Sequence, residues 1–259
     1  MADPRPLRNG MVMTPAHISS VRPHRDFLRV TLEAPSFAEL EVRGRAPVFK
    51  IFVPRTGQPL DLPTFDEHNL ADPDWESSDA RPLARAYTAL DFSLSDTSLT
   101  FDALDLGHPD WWLRRVDEGD PVGFIGFKNP VVLSDDIVDV VAVGDASAAP
   151  ALRELAMLGS GAVTVRRQQF ESVILTGFDP HTTLVWIGGE VSDVRAIHEE
   201  AIRYGIPPDR VLAHAYWARG LTRDEFDHDL YQRYQRAAAM GLDISDHVVA
   251  ARIELDYPR

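Results

Sequence analysis

The change of hydrophobic texture at Asn129-Pro130 constrains the fold more than any other feature of this chain. Before it, apolar residues come in short β-branched runs divided by turn residues: 18–21, 28–32, and 48–53 after Gly44-Arg45-Ala46-Pro47. Beyond it, residues 137–143 form a nearly continuous apolar run, followed at once by a helical segment, 148–158, that stops at Gly159. Short runs suit antiparallel strands with one buried face, whereas a continuous run suits a parallel strand covered by helices on both sides. One texture followed by the other predicts two domains in series.

The first half supplies further strands at 85–90, 98–102 and 121–127, with one helix at 109–116. Residues 54–84, rich in Pro, Asp and Ser, read as a long excursion between strands. The second half alternates: strands at 161–166, 171–175, 184–188 and 210–216, with a helix at 191–204. A charged helix is expected at 222–239, and 248–255 reads as a last strand or extended arm. The expected fold class is therefore β plus α/β: an antiparallel β-barrel over residues 1–130, then a small parallel-sheet domain over 131–259 with a helical tail.

Composition limits the chemistry. The chain of 259 residues has no cysteine, so disulfides, thiolate metal sites and cysteine nucleophiles are excluded, and electron transfer would need a bound cofactor. Forty acidic residues against 26 basic give a net charge of −14, which disfavours nucleic acid and anionic membrane surfaces as partners. No apolar run approaches the ~20 residues needed to span a bilayer, and the segment before Gly10 has two arginines but no apolar stretch behind them. A cytoplasmic location without membrane insertion is the expectation.

Four clusters carry candidate chemistry. In Arg85-Ala86-Tyr87-Thr88, a flavin-binding strand would find a cation for the pyrophosphate, an aromatic ring for the isoalloxazine and a hydroxyl near its reactive nitrogen. Strand alternation puts Arg85, Tyr87 and Ala89 on one face and Thr88 on the other. A solvated flank explains the same residues without a ligand. The second cluster, around Gly144-Asp145-Ala146-Ser147-Ala148, is a strand end turning into a helix start, open to a phosphate or a nicotinamide edge. Only Gly144 of a dinucleotide fingerprint is present, and capping by Asp145 or Ser147 is an equal alternative. The third and fourth, Trp186-Ile187-Gly188-Gly189-Glu190 and Ala215-Tyr216-Trp217-Ala218-Arg219-Gly220, fall at the carboxyl ends of strands, where open α/β sheets bind ligands.

In this order and spacing the clusters resemble the siderophore-interacting proteins, flavin-binding reductases of ferric siderophores built on the ferredoxin-reductase plan. Arg85, Tyr87 and Thr88 match that family's flavin strand, and Trp112 and Gly119-Asp120 stand at its mutual spacing. Gly144-Asp145, Ala148, Pro150 and Ala151 match its nucleotide turn; Gly189-Glu190 and Tyr216-Trp217 match its last two motifs. The resemblance implies FAD at Arg85, Tyr87, Thr88 and Gly107, with Thr88 and Tyr87 beside the reacting ring. It implies NAD(P)H at Gly144, Asp145, Ser147, Ala148, Gly189, Glu190, Tyr216 and Trp217, and a ferric siderophore as the small-molecule partner.

The departures gather on the flavin. Leu90 stands in place of the strand's second arginine, Asp110 in place of a phosphate-donating serine, Ala146 in place of a glutamate and Ala218 in place of a cation. Two readings follow: a flavin-dependent NAD(P)H oxidoreductase, or the same shell with an eroded flavin site, reused to bind or cyclise a small molecule without redox chemistry. His108, His181, His198, His214 and His228 show no metal-ligand spacing, and the acidic groups at 135–139 and 224–229 read as solvated faces. Trp112 is expected in the core, with Trp111 open between packing and a ligand.

Overall fold

The computed structural model describes residues 5–6, 12–66, 69–74, 82–105, 111–128, 130–159, 163–244 and 246–256. The chain divides into two compact units, Met1–Val132 and Leu133–Arg259.

The first unit is made of strands: β1 (Arg5–Pro6), β2 (Val12–His24), β3 (Phe27–Glu33), β4 (Val48–Val53), β5 (Thr64–Asp66), β6 (Asn69–Asp74), β7 (Leu83–Ser93), β8 (Ser98–Leu104) and β9 (Pro121–Lys128). Six of them close into an antiparallel barrel in the order β2-β3-β8-β7-β4-β9 and back to β2. The long β2 makes closure possible: its residues 12–17 pair with β9, and 17–24 pair with β3. Closure gives each of these six strands two hydrogen-bonded neighbours. The excursion at 54–84 contains a small β5–β6 pair beside the barrel sheet.

Alternation fills the barrel with aromatic rings. Phe37, Phe49, Phe101 and Phe124 are all 0% exposed. The Phe49 centroid lies 5.3 Å from that of Phe101 and 5.4 Å from that of Phe124. Each such burial contributes about 1.5–3 kcal/mol to the unit's stability.

The helix expected at 109–116 is not formed over its described part, which is a short 3-10 turn, Trp112–Arg114. Trp111 is extended and offers no side-chain cap, so the first helical turn has nothing to nucleate it. Burial of Trp112 and Leu113 anchors the turn instead.

The second unit carries β10 (Asp139–Gly144), β11 (Thr164–Gln168), β12 (Thr183–Glu190) and β13 (Val211–Trp217), all parallel in the order β11-β10-β12-β13. Its helices are α1 (Ala149–Ala156), α2 (Val191–Tyr204), α3 (Arg223–Ala239) and α4 (His247–Leu255). Every residue of β12 is buried, as a central strand covered on both faces should be. Val194, Ile197 and Ala201 of α2 pack in one cluster with Val141, Val143, Val185 and Ile187. Gly144, on the opposite face of β10, meets Ala148 and Leu152 at the start of α1. The sheet is therefore wound on both sides.

Two expectations fail here. Residues 171–175 are not a strand but a 3-10 turn, Phe170–Ser172, and a loop. The Gln168 amide both accepts from the Ile174 N–H (2.6 Å) and donates to its carbonyl (3.1 Å), giving that backbone a partner without a neighbouring strand. Residues 248–255 are helical, not extended, because Asp246 caps the amides of Val248 and Val249 and starts α4.

Helix α4 lies against the edge strand β13. Glu254 accepts the Ala215 N–H of that strand at 3.2 Å and the Tyr234 hydroxyl at 2.9 Å. Arg233, only 6% exposed, donates to the carbonyls of Ile253 and Glu254 at the end of α4. Burial, and then the Glu254 carboxylate, pushes the Tyr234 phenol far above its ordinary range, so it remains a donor. A strand edge that would otherwise offer itself to another chain is covered.

One pH effect follows from α2. Burial holds the His198 imidazole below its usual 6.5, so the folded state favours the neutral ring. The associated stability is present above the unfolded value and lost as pH falls through the lowered folded one. The urea midpoint is expected to drop between about pH 7 and about pH 5, and His198→Gln to flatten part of that drop. Identical pH profiles for the two proteins would assign the loss to other groups.

Candidate functional site

On the barrel, the β4–β7 register decides which side chains share a face. Phe49 pairs with Tyr87 and Ile51 with Arg85, so Arg85 and Tyr87 lie on the face of those two core residues, with Ala86 and Thr88 on the other. Tyr87 packs its ring 4.5 Å from Phe101, and its hydroxyl accepts from Trp112 Nε1 at 2.9 Å. Arg85 donates to the Ala84 carbonyl at 2.9 Å. Thr88 is 7% exposed, and its side chain does not converge with the other two. Gly107 and the stretch 106–110 lie outside the described residues.

Were a flavin bound to this strand, the Arg85 guanidinium and the Tyr87 ring, which share the face of Phe49 and Ile51, would be the groups to hold it. When bound, it would supply hydride acceptance and one-electron donation, which this cysteine-free chain cannot perform with its own side chains. Half-buried Leu90 supplies no second cation. The Trp112–Tyr87 hydrogen bond escapes sequence reading, because it joins residues 25 apart through the closed barrel.

In the second unit, the parallel register brings Gly144 beside Gly188 and Glu190 beside Trp217, so the ends of β10, β12 and β13 meet at the carboxyl edge of the sheet. Asp145 Oδ1 accepts from the Ser147 N–H (2.8 Å) and from its hydroxyl (2.5 Å). Its Oδ2 accepts from the Glu190 N–H (3.0 Å) and the Trp217 indole (2.9 Å). Glu190, 2% exposed, caps α2 through the Ser192 and Asp193 amides and accepts the Arg219 N–H at 3.1 Å. Ala148 is buried beneath Gly144. Tyr216 stands beside Trp186, ring centroids 6.5 Å apart, and its carbonyl accepts from Arg223. The structure thus unites Gly144, Asp145, Ser147, Ala148, Gly189, Glu190 and Trp217 in one place, with Tyr216 next to them.

The edge is acidic. Burial raises the Asp193 carboxyl; Arg219, paired with it at 2.8 Å, opposes this, while Glu190, Asp145 and Glu171 raise it further. Arg219, in the sequence only one member of the fourth cluster, closes the edge through its backbone N–H, which donates to Glu190. Among the described residues, no group of three or more His, Asp or Glu is arranged to hold a metal ion, and no helix is long and apolar enough to cross a membrane.

A closed antiparallel barrel followed by a doubly wound parallel sheet is the ferredoxin-reductase type of fold. A cytochrome P450 reductase from Amycolatopsis shares it, with a TM-score of 0.51 and 14% identity over 80% of this chain and 70% of that one. Closer in shape is a siderophore-interacting protein from Aeromonas hydrophila, with a TM-score of 0.63 and 19% identity over 88% of this chain and 98% of that one. A siderophore utilization protein from T. fusca gives 0.59 and 19% over 83% and 95%. No protein-family model and no curated protein sequence matches the chain. At these identities the likeness establishes a common fold.

Proposed function

We propose that this protein is a flavin-dependent oxidoreductase of the siderophore-interacting kind, holding FAD along β7 and acting on a ferric siderophore. The observation that carries this reading is the placement of Arg85 and Tyr87 on one face of β7, with Tyr87 fixed by Trp112. Arg85 supplies a permanent positive charge for a pyrophosphate, and Tyr87 a rigid ring for a planar cofactor. Thr88, next in sequence, reaches such a ligand through its backbone if at all, since its side chain lies on the other face. Reducing Fe(III) to Fe(II) loosens the hold of hard oxygen ligands, which is how such an enzyme would free the metal.

A second reading keeps the shell and drops the redox chemistry, with the fold reused to bind or transform a small molecule. Leu90 favours it, because a doubly anionic pyrophosphate would be matched by one strand cation instead of two.

Titration of FAD into the apoprotein at low salt separates the two. Saturable quenching of flavin fluorescence at micromolar FAD is expected, weakened about 10–100-fold in Arg85→Ala and strengthened in Leu90→Arg. Release of Fe(II) from a ferric siderophore by the chemically reduced holoprotein, followed with a ferrous chelator, tests the substrate. Absence of binding at millimolar FAD would favour the second reading.

A further inference from the structure

We infer that the carboxyl edge of the parallel sheet is closed to the phosphates of a pyridine nucleotide, because two of the protein's own carboxylates already hold the donors those phosphates would need. Strand ends and helix starts bind phosphate through free backbone N–H groups and through glycines that let the ligand approach the backbone.

The donors are taken. The amides of Ser147 and Glu190, the Ser147 hydroxyl and the Trp217 indole all point at Asp145. Those of Ser192, Asp193 and Arg219 point at Glu190. Two first-turn amides of α2 thus serve an internal anion.

The space is taken as well. A Cβ built on Gly144 would lie 2.6 Å from Ala148 Cβ and 2.8 Å from the Gly188 carbonyl; one on Gly188 would lie 2.5 Å from the Trp186 ring. At Gly189, with φ at +146°, it would lie 2.6 Å from the Asp145 carboxylate. These glycines admit the protein's own ring, methyl and carboxylate. They serve internal packing where an open nucleotide edge would use them for a ligand.

Charge acts in the same direction. Asp145, Glu190, Asp193 and Glu171 are close enough to interact, with Arg219 as the cation that faces Asp193. A dianionic pyrophosphate brought to this edge would lose its hydration and meet carboxylates. The nicotinamide expected from the sequence resemblance therefore does not fit the edge that the structure builds.

This inference is independent of whether FAD binds to β7, and its test keeps the two apart. Wild-type protein, with and without FAD, is titrated with NADPH and NADH at low salt, following both nicotinamide fluorescence and tryptophan emission. Trp217, 39% exposed and bonded to Asp145, is the local reporter, and Trp217→Phe identifies its share of the signal. The expected result is no saturable change in the Trp217 signal up to about 1 mM nucleotide, a binding free energy weaker than about −4 kcal/mol. Saturable quenching that disappears in Trp217→Phe and is displaced by inorganic pyrophosphate would overturn the inference. Displacement by inorganic pyrophosphate is read on wild-type protein, so that part of the test depends on no variant.

Discussion

Asp145→Ala is expected to destabilise the protein by about 3 kcal/mol, read as a shift of the urea unfolding midpoint. The carboxylate receives two backbone amides, a hydroxyl and an indole, and it bridges the ends of β10, β12 and β13. Charged hydrogen bonds contribute about 1.5–3 kcal/mol each but are not additive, and removing the acceptor leaves the Glu190 amide without its partner. Asp145→Asn should lose nearly as much, because one oxygen becomes an NH₂ group that either faces the Glu190 amide and the indole or displaces the Ser147 contacts. Trp217 emission should move to longer wavelength in both variants as its indole N–H turns to water. A loss below about 1 kcal/mol with unchanged emission would mean that water replaces the carboxylate without cost, and the picture of a self-occupied edge would fall with it.

The second large effect lies in the barrel. Phe49→Ala should cost about 4 kcal/mol, because Phe49 is 0% exposed and touches rings on several sides. Phe49→Leu, which retains most of the apolar volume, should cost about 1.5 kcal/mol. The difference between the two separates cavity formation from the loss of ring contacts with Phe101 and Phe124. Equal and small losses would show that the barrel collapses around the missing ring and that the aromatic cluster does not hold it open.

The two effects belong to different kinds of bonding. The barrel depends on buried area, which is non-directional and tolerates exchange of one apolar residue for another of similar size. The sheet edge depends on acceptors placed within hydrogen-bond distance of fixed amides, where a change of one atom reverses the sign of a contact.

What the sequence by itself determined is the part written in local pattern. Periodicity located β4 at residues 48–53 and α2 at residues 191–204 within the observed bounds, and it separated barrel texture from parallel-sheet texture. Alternation also put Arg85 and Tyr87 on one face before any coordinate did, since a strand has a period of two whatever surrounds it. Where pattern is weak, it misled: residues 248–255 suit a strand by composition, yet the Asp246 cap and the exposed edge of β13 make a helix of them. The loop at 171–175 likewise depends on one glutamine side chain reaching Ile174.

Only tertiary structure decided what the motif residues are bonded to. Asp145 and Glu190 stand in the sequence as acids after glycines, equally able to cap a helix, bind a ligand or face water. Which of these occurs depends on where Trp217 and Arg219 arrive, 72 residues beyond Asp145 and 29 beyond Glu190. Hydrogen bonds of that range are fixed by the register of β10, β12 and β13, a property of the assembled sheet. The residue types at the carboxyl edge were therefore legible in the sequence. The occupation of their donors was not, because it is settled by distances that exist only once the strands are side by side.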